Sequence, residues 1–344
     1  MKILFNTPTT QIQATEKEEF NFLSNERLQK LREDFDVVLN EKGRHFTKEE
    51  LISEIKDADA VITHWSSTQI DPEVLSHAEN LKIVAHLGGT VKAYVCEEVF
   101  DRGITVISAN DTYFARLVAE GALSYALVGL RHIDKHILNL KNYGEEGWRR
   151  KGGNETRGLI GKTVGIVSFG AIAKYLVGFL KPFGCRIKVY SRSISEETLN
   201  KYGMERASLE EIFETCDVIS VHTAYNEKTK HFIGRDLISK IKEGALFINT
   251  SRGGVVDEKA LVEELEKGKF MAALDVFEVE PLPADSKLYS LDNVILFPHK
   301  GGPTQDMYRT LTCGILDEVT DFLLRGKEPE SKIIKERAMS MSFN

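Results

Sequence analysis

Three short segments in the second half of the chain hold the side-chain types that anion binding and proton transfer need. Asn249 to Asp257 reads NTSRGGVVD and carries a guanidinium, Arg252. Asp275 to Pro281 reads DVFEVEP and carries carboxylates, among them Glu280. Phe297 to Gly302 reads FPHKGG and carries an imidazole, His299. A guanidinium is a permanent planar cation that suits a carboxylate or a polarised carbonyl oxygen. An imidazole releases and regains a proton near neutral pH, and a carboxylate beside it favours its charged form. Taken singly, each residue has a plainer reading: a solvated Arg after a strand, a Glu before Pro in a turn, a His satisfied in a loop. Their joint occurrence, each after an apolar strand pattern, argues for chemistry, because doubly wound sheets bind ligands at the carboxyl ends of their strands.

The elements that must position them follow from the alternation of short β-branched runs with helical patterns. Strands are expected at Lys2 to Phe5, Asp36 to Leu39, Ala60 to Thr63, Lys82 to Ala85 and Thr105 to Ile107. Charged helical segments lie between them, which implies parallel strands joined by crossover helices. A long helix is expected from about Thr112 to Tyr143, and an exposed loop from Gly144 to Gly158. The alternation then restarts with six strand candidates, TVGIV, RIKVY, DVISV, ALFIN, MAALD and NVILF. A last helix, Gln305 to Leu324, has no sheet of its own and must return to the first domain. The reading is α/β: two doubly wound parallel-sheet domains, with 111–302 inserted into a domain made of 1–110 and 303–344.

The first βα turn of the inserted domain reads GIVSFGAIAK from Gly165 to Lys174. Against G-x-G-x-x-G/A it offers Ser168, Gly170 and Ala173, so the first glycine is replaced. Gly170 permits close backbone approach, and the amides of Ala171 and Ile172 are placed to donate to a pyrophosphate at the helix N-terminus. At the end of RIKVY, where an Asp or Glu would hold an NAD ribose, stand Ser191, Arg192 and Ser193, with Glu196 the next carboxylate. A hydroxyl and a guanidinium suit a 2′-phosphate, so NADP is favoured over NAD. In the first domain, LKIVAHLGGTVKAYV places Gly88, Gly89 and Thr90 after a strand. The amides from Gly89 to Val91 are spaced for an anion nest that would take a substrate carboxylate.

Composition sets bounds. A chain of 344 residues with net charge -7 is globular, long enough for two domains, and poorly suited to a nucleic-acid surface. Cys96, Cys185, Cys216 and Cys313 form no C-x-x-C pair and sit beside apolar neighbours. They are expected as buried free thiols in a reducing, cytoplasmic setting, without bound metal. The longest apolar run, Leu117 to Leu130, contains Glu120 and is too short to span a membrane.

In order and content the three segments resemble the D-isomer-specific 2-hydroxyacid dehydrogenases. VAEGAL at Val118 and HTAYNEKTKHFIG at His222 extend the likeness over nearly the whole chain. The resemblance implies a flavodoxin-like substrate domain, a Rossmann dinucleotide-binding domain and a catalytic trio of Arg252, Glu280 and His299. It also implies that Asp275 meets the nicotinamide carboxamide, and that His222, Thr223, Thr250 and Gly301 line the cofactor cleft. Gly89, Thr90 and Arg252 would face a small 2-oxo or 2-hydroxy acid such as glyoxylate, hydroxypyruvate or phosphohydroxypyruvate. The helix at Leu117 to Leu130 would form a homodimer interface. Two departures stand out: Thr90, Val91 and Lys92 stand where the family pattern runs G-x-G-x-D followed by another Asp, and Lys300 follows His299 where an apolar residue is common. Two rivals are an NAD(P)-sensing protein on the same fold and formate oxidation, whose members carry an amide where Glu280 stands.

Overall fold

The computed structural model describes residues 1–13, 21–149 and 156–341. It divides into two compact units, Met1–Phe114 with Pro303–Asn344, and Ala115–Gly302.

The first unit is built on β1 (Lys2–Pro8), β2 (Asp36–Asn40), β3 (Ala60–Thr63), β4 (Ile83–His86) and β5 (Thr105–Ser108), in the order β2-β1-β3-β4-β5. Every pairing is parallel. β3, β4 and β5 are buried at every position, as strands covered on both faces must be. Helices α1 (Thr9–Ile12), α2 (Asn25–Asp34), α3 (Lys48–Ile55), α4 (Pro72–Ser76) and α5 (Glu97–Asp101) lie between the strands. Local sequence starts them: Thr47 and Glu50 form a reciprocal capping box at α3, and Asp71 caps α4 with Pro72 in its first turn.

The second unit opens with α6 (Ala115–Arg131) and α7 (Ile133–Arg149). Its sheet contains β6 (Thr163–Val167), β7 (Arg186–Tyr190), β8 (Glu205–Arg206), β9 (Val218–Val221), β10 (Leu246–Asn249), β11 (Met271–Leu274) and β12 (Val294–Leu296). The order is β12-β11-β10-β9-β6-β7-β8, all parallel. The direction of winding reverses between β6 and β9, the switch point at which such sheets take their ligands. Helices α8 (Ala171–Leu180), α9 (Glu196–Tyr202), α10 (Leu209–Thr215), α11 (Arg235–Ile238) and α12 (Glu258–Leu265) connect the strands. Side chains alternate across the sheet. Val164, Ile166, Leu246 and Ile248 pack with α6 and α8 on one face. Val167, Val221, Phe247 and Leu274 pack with α10 and α12 on the other. The chain then returns to the first unit as α13 (Tyr308–Arg325), which lies against β4, and α14 (Lys335–Met339).

Three expectations are corrected. The inserted sheet has seven strands, because β8 is two exposed residues with no apolar signal. The long helix is two: α6 ends at Arg131, and His132 turns the chain with a φ of 49°. The stretch expected as a loop from Gly144 stays helical to Arg149 with a kink at Gly144, and 150–155 lie outside the described residues. The apolar run in α6, expected as a buried or interface helix, places Ala119, Ala122, Tyr125, Ala126 and Leu130 in the core of its own unit. Exposed apolar side chains sit instead on α7, at Ile133, Ile137, Leu138, Leu140, Tyr143 and Trp148. All four cysteines are free, but only Cys216 is fully buried. Among the described residues no helix is long and apolar enough to cross a membrane, and no cluster of metal-ligating side chains is present.

Candidate active site

Arg252 stands in the turn after β10, and Asn249 shapes that turn. The Asn249 Oδ1 accepts from the Ser251 amide at 3.0 Å and its hydroxyl at 2.7 Å. Its Nδ2 donates to the Arg252 carbonyl at 3.3 Å. Such a loop is the local structure that Asn favours over a continued strand. Gly253 then lies flat against the backbone of the DVF segment: a β-carbon there would fall 1.9 Å from the Phe277 carbonyl carbon. This close approach brings the Arg252 and Glu280 loops together, so that each side chain feels the other's charge. One Arg252 Nη donates to the Ser251 carbonyl at 2.8 Å, while its Nε is shielded from water with no partner among the described residues. Burial pulls the Arg252 guanidinium down from its ordinary value and Glu280 opposes the fall. An unpaired, partly desolvated guanidinium attracts an anion strongly.

His299 Nδ1 lies 2.7 Å from Glu280 Oε2, and the other carboxylate oxygen accepts the Phe277 amide at 3.0 Å. Burial alone would push the Glu280 carboxyl up. The His299 hydrogen bond, the Phe277 amide and the charges of His299 and Arg252 outweigh it and hold Glu280 below its ordinary value. An ionised carboxylate only accepts, so the proton in this contact sits on Nδ1. Nε2 is then the atom left to exchange a proton with a reactant. The imidazole is 47% and the carboxylate 35% exposed, so both are open to one.

Asp275, at the end of β11, is 2% exposed and commits both oxygens to the protein. Oδ1 accepts from the Tyr125 hydroxyl at 2.9 Å and the Lys300 amide at 2.7 Å, and Oδ2 accepts from the Gly301 amide at 2.9 Å. Asp275 and Gly301 thus bind each other in the turn that carries His299. Lys300 is exposed.

On the switch-point side, Ser168 adopts a φ of 73° in the position a glycine usually takes. Its hydroxyl lies 2.8 Å from that of Thr223, and its amide donates to the Tyr190 carbonyl. Among the described residues, helix α8 starts at Gly170 with no side-chain cap, and a β-carbon at Gly170 would meet nothing within 4 Å. The amides of Ala171 and Ile172 therefore begin a helix whose N-terminus opens on free space. The Thr250 hydroxyl and His222 Nδ1 are shielded from water without partners among the described residues. His222 Nε2 meets the Ser220 hydroxyl at 2.9 Å, and burial pulls the ring down to about 4, so it is neutral. Open space, an uncapped helix start and orphaned polar atoms fit a dinucleotide. At the end of β7 a cavity of about 380 Å³ is lined by Tyr190, Ser191, Arg206, Ala207, Ser208 and Glu211. Arg192 is exposed beside it. Arg206, which the sequence did not single out, is bound to Glu196 at 2.8 Å and comes from the unexpected β8.

In the first unit, Gly88 and Gly89 follow β4 as expected. The Ser108 hydroxyl reaches their carbonyls at 3.0 and 2.7 Å, and Thr90 is buried.

Two parallel doubly wound sheets, one of them with an Arg, a Glu and a His converging beside a dinucleotide switch point, define a nicotinamide-dependent dehydrogenase. Residues 123–301 match the model of the NAD-binding domain of the D-isomer specific 2-hydroxyacid dehydrogenases. A D-3-phosphoglycerate dehydrogenase of Methanocaldococcus jannaschii is 36% identical over 88% of this chain and 58% of its own length. A hydroxypyruvate reductase of Thermotoga maritima is 35% identical over 80% of this chain and 89% of its own. The crystal structure of a phosphoglycerate oxidoreductase from Rhizobium etli superposes with a TM-score of 0.75 and 27% identity, covering 97% of this chain and 98% of that one. The chain belongs to the D-isomer specific 2-hydroxyacid dehydrogenase family, and is an oxidoreductase of that class.

Proposed function

We propose that this dehydrogenase reduces a small 2-oxo acid of the glyoxylate, hydroxypyruvate or phosphohydroxypyruvate kind to its D-2-hydroxy acid, with NADPH preferred. The observation that carries the reading is the 2.7 Å contact between His299 and an ionised Glu280, in loops that share the field of Arg252. The unpaired guanidinium holds the substrate carboxylate and polarises the adjacent carbonyl. His299, oriented through its Nδ1 by Glu280, releases an Nε2 proton to the carbonyl oxygen as that oxygen gains negative charge. In the reverse direction Nε2 takes the hydroxyl proton. A nicotinamide dinucleotide, when bound, supplies or accepts the hydride. Gly170, Ala171 and Ile172 would hold its pyrophosphate, and Thr223, Thr250 and His222 would line its cleft. In the first unit, the amides that follow Gly88 are the candidate anion nest of this reading, at Gly89 and Thr90.

The preference for NADP is supported by Ser191 and Arg192 standing where a ribose-binding carboxylate would otherwise lie, with Arg206 on the wall of the adjoining cavity. A homodimer is supported by the exposed apolar face of α7. Four free thiols suit a reducing, cytoplasmic compartment. The test is a panel of small 2-oxo acids assayed with both reduced cofactors. The expected result is turnover with at least one of these acids and a higher kcat/KM with NADPH. Turnover with none would overturn the reaction, and a clear NADH preference would overturn the cofactor.

A further inference from the structure

We infer that Tyr125 is a positioning residue for proton transfer: its hydroxyl, acting through Asp275, fixes the turn that carries His299. The inference rests on the proposed reduction. His299 has a φ of 53°, in the left-handed region that a side chain disfavours, so its neighbours must hold it there. Its amide points at the carbonyls of Asp275 and Phe297, each at 3.0 Å. The next two amides, of Lys300 and Gly301, go to the two oxygens of the Asp275 carboxylate.

That carboxylate is buried with no cation on it among the described residues, and its third donor is the Tyr125 hydroxyl at 2.9 Å. The Tyr125 ring stacks on Phe297, two residues before His299, with centroids 3.7 Å apart and planes 16° from parallel. Burial and the charge of Asp275 both push the phenol far above its ordinary value, so it remains a donor at any working pH. One helical turn earlier, Gly121 accepts the other side of the same loop: a β-carbon there would fall 2.4 Å from the Gly301 carbonyl oxygen. Positions 121 and 125 share one face of α6. An apolar residue would fill the core at 125 equally well. Only a hydroxyl reaches Asp275.

Tyr125→Phe keeps the ring stack and removes the hydrogen bond. The variant is expected to fold, to bind NADPH with a Kd within about twofold of wild type, and to leave substrate KM within about twofold. Its kcat falls about tenfold, because a small misplacement of the proton donor is costly. Independently of turnover, the His299 ring proton resonance, assigned by its loss in His299→Ala, is expected to shift and broaden. Asp275→Asn, which cannot accept from every one of these donors, is expected to share the kinetic and spectral changes, and decides the matter if Tyr125→Phe does not fold. Wild-type kcat with an unchanged His299 resonance would overturn the inference. So would a loss shared by cofactor affinity and melting temperature while that resonance stays in place. A wild-type enzyme without turnover would sink the proposed reaction, but the resonance would still test the positioning.

Discussion

Glu280 shows how one carboxylate sets the behaviour of its neighbours. Burial would raise its proton affinity, yet the His299 hydrogen bond, the Phe277 amide and the two nearby cations leave it depressed. The sign follows from linkage. A carboxyl whose folded value lies below its unfolded value stabilises the fold above the ordinary Glu range of about 4.3, and this stability is lost as pH falls through the folded value. Because Glu280 is partly exposed, the effect on stability is small and the effect on chemistry larger. Glu280→Gln is expected to leave cofactor affinity intact and to lower kcat/KM for reduction by about a hundredfold, the low end for losing a proton-transfer partner. A kcat/KM equal to that of wild type would remove Glu280 from the mechanism. Ser168 is a second instance of residue-scale adjustment. Its left-handed backbone costs about 1–3 kcal/mol, and contacts with Thr223 and the Tyr190 carbonyl help to hold it where a glycine would sit freely.

At the scale of elements, what could be read from the sequence was whatever rests on local pattern. The strands from β3 to β5, and β6, β7 and β9 to β11, are apolar or β-branched runs bounded by turn residues, and each formed where its pattern lay. Arg252, Glu280 and His299 were legible as candidates, because their types are suited to the chemistry and each follows a strand. β8 was not legible, since two exposed charged residues carry no periodic signal. Nor was the break between α6 and α7, where His132 turns the chain with neither Gly nor Pro to mark it. The apolar run in α6 signalled burial but not what would cover it, and it covers its own sheet. Least legible was the support of the His299 turn. Tyr125 and Asp275 are 150 residues apart, and nothing local to either distinguishes a hydroxyl in the core from an ordinary packed tyrosine. Arg206 escaped notice for the same reason, because its place beside Ser191 depends on the pairing of β7 with β8.

At the scale of the whole molecule, two surfaces need accounting for: one that leaves the chain and one that serves it. The apolar side chains of α7 recur at helical spacing, with Ile137, Leu138 and Leu140 each more than two-fifths exposed and Trp148 80% exposed. A second copy of the chain is the proposed cover. Replacing Ile137 and Leu140 together by Asp should convert a dimer to a monomer in light scattering at matched concentration, with the sheet core undisturbed. A dimer that survives both changes would move the interface off this helix.

The surface that serves the chain is the site itself, and its central requirement is that the His299 imidazole moves the proton. The most direct measurement compares wild type with His299→Ala by two readings on the same samples: NADPH binding followed by nicotinamide fluorescence, and turnover with the 2-oxo acid that wild type handles best. The expected result is undiminished binding with kcat reduced by about a thousandfold, within the range for loss of a general acid. Near-normal turnover in the variant, with binding intact, would contradict it.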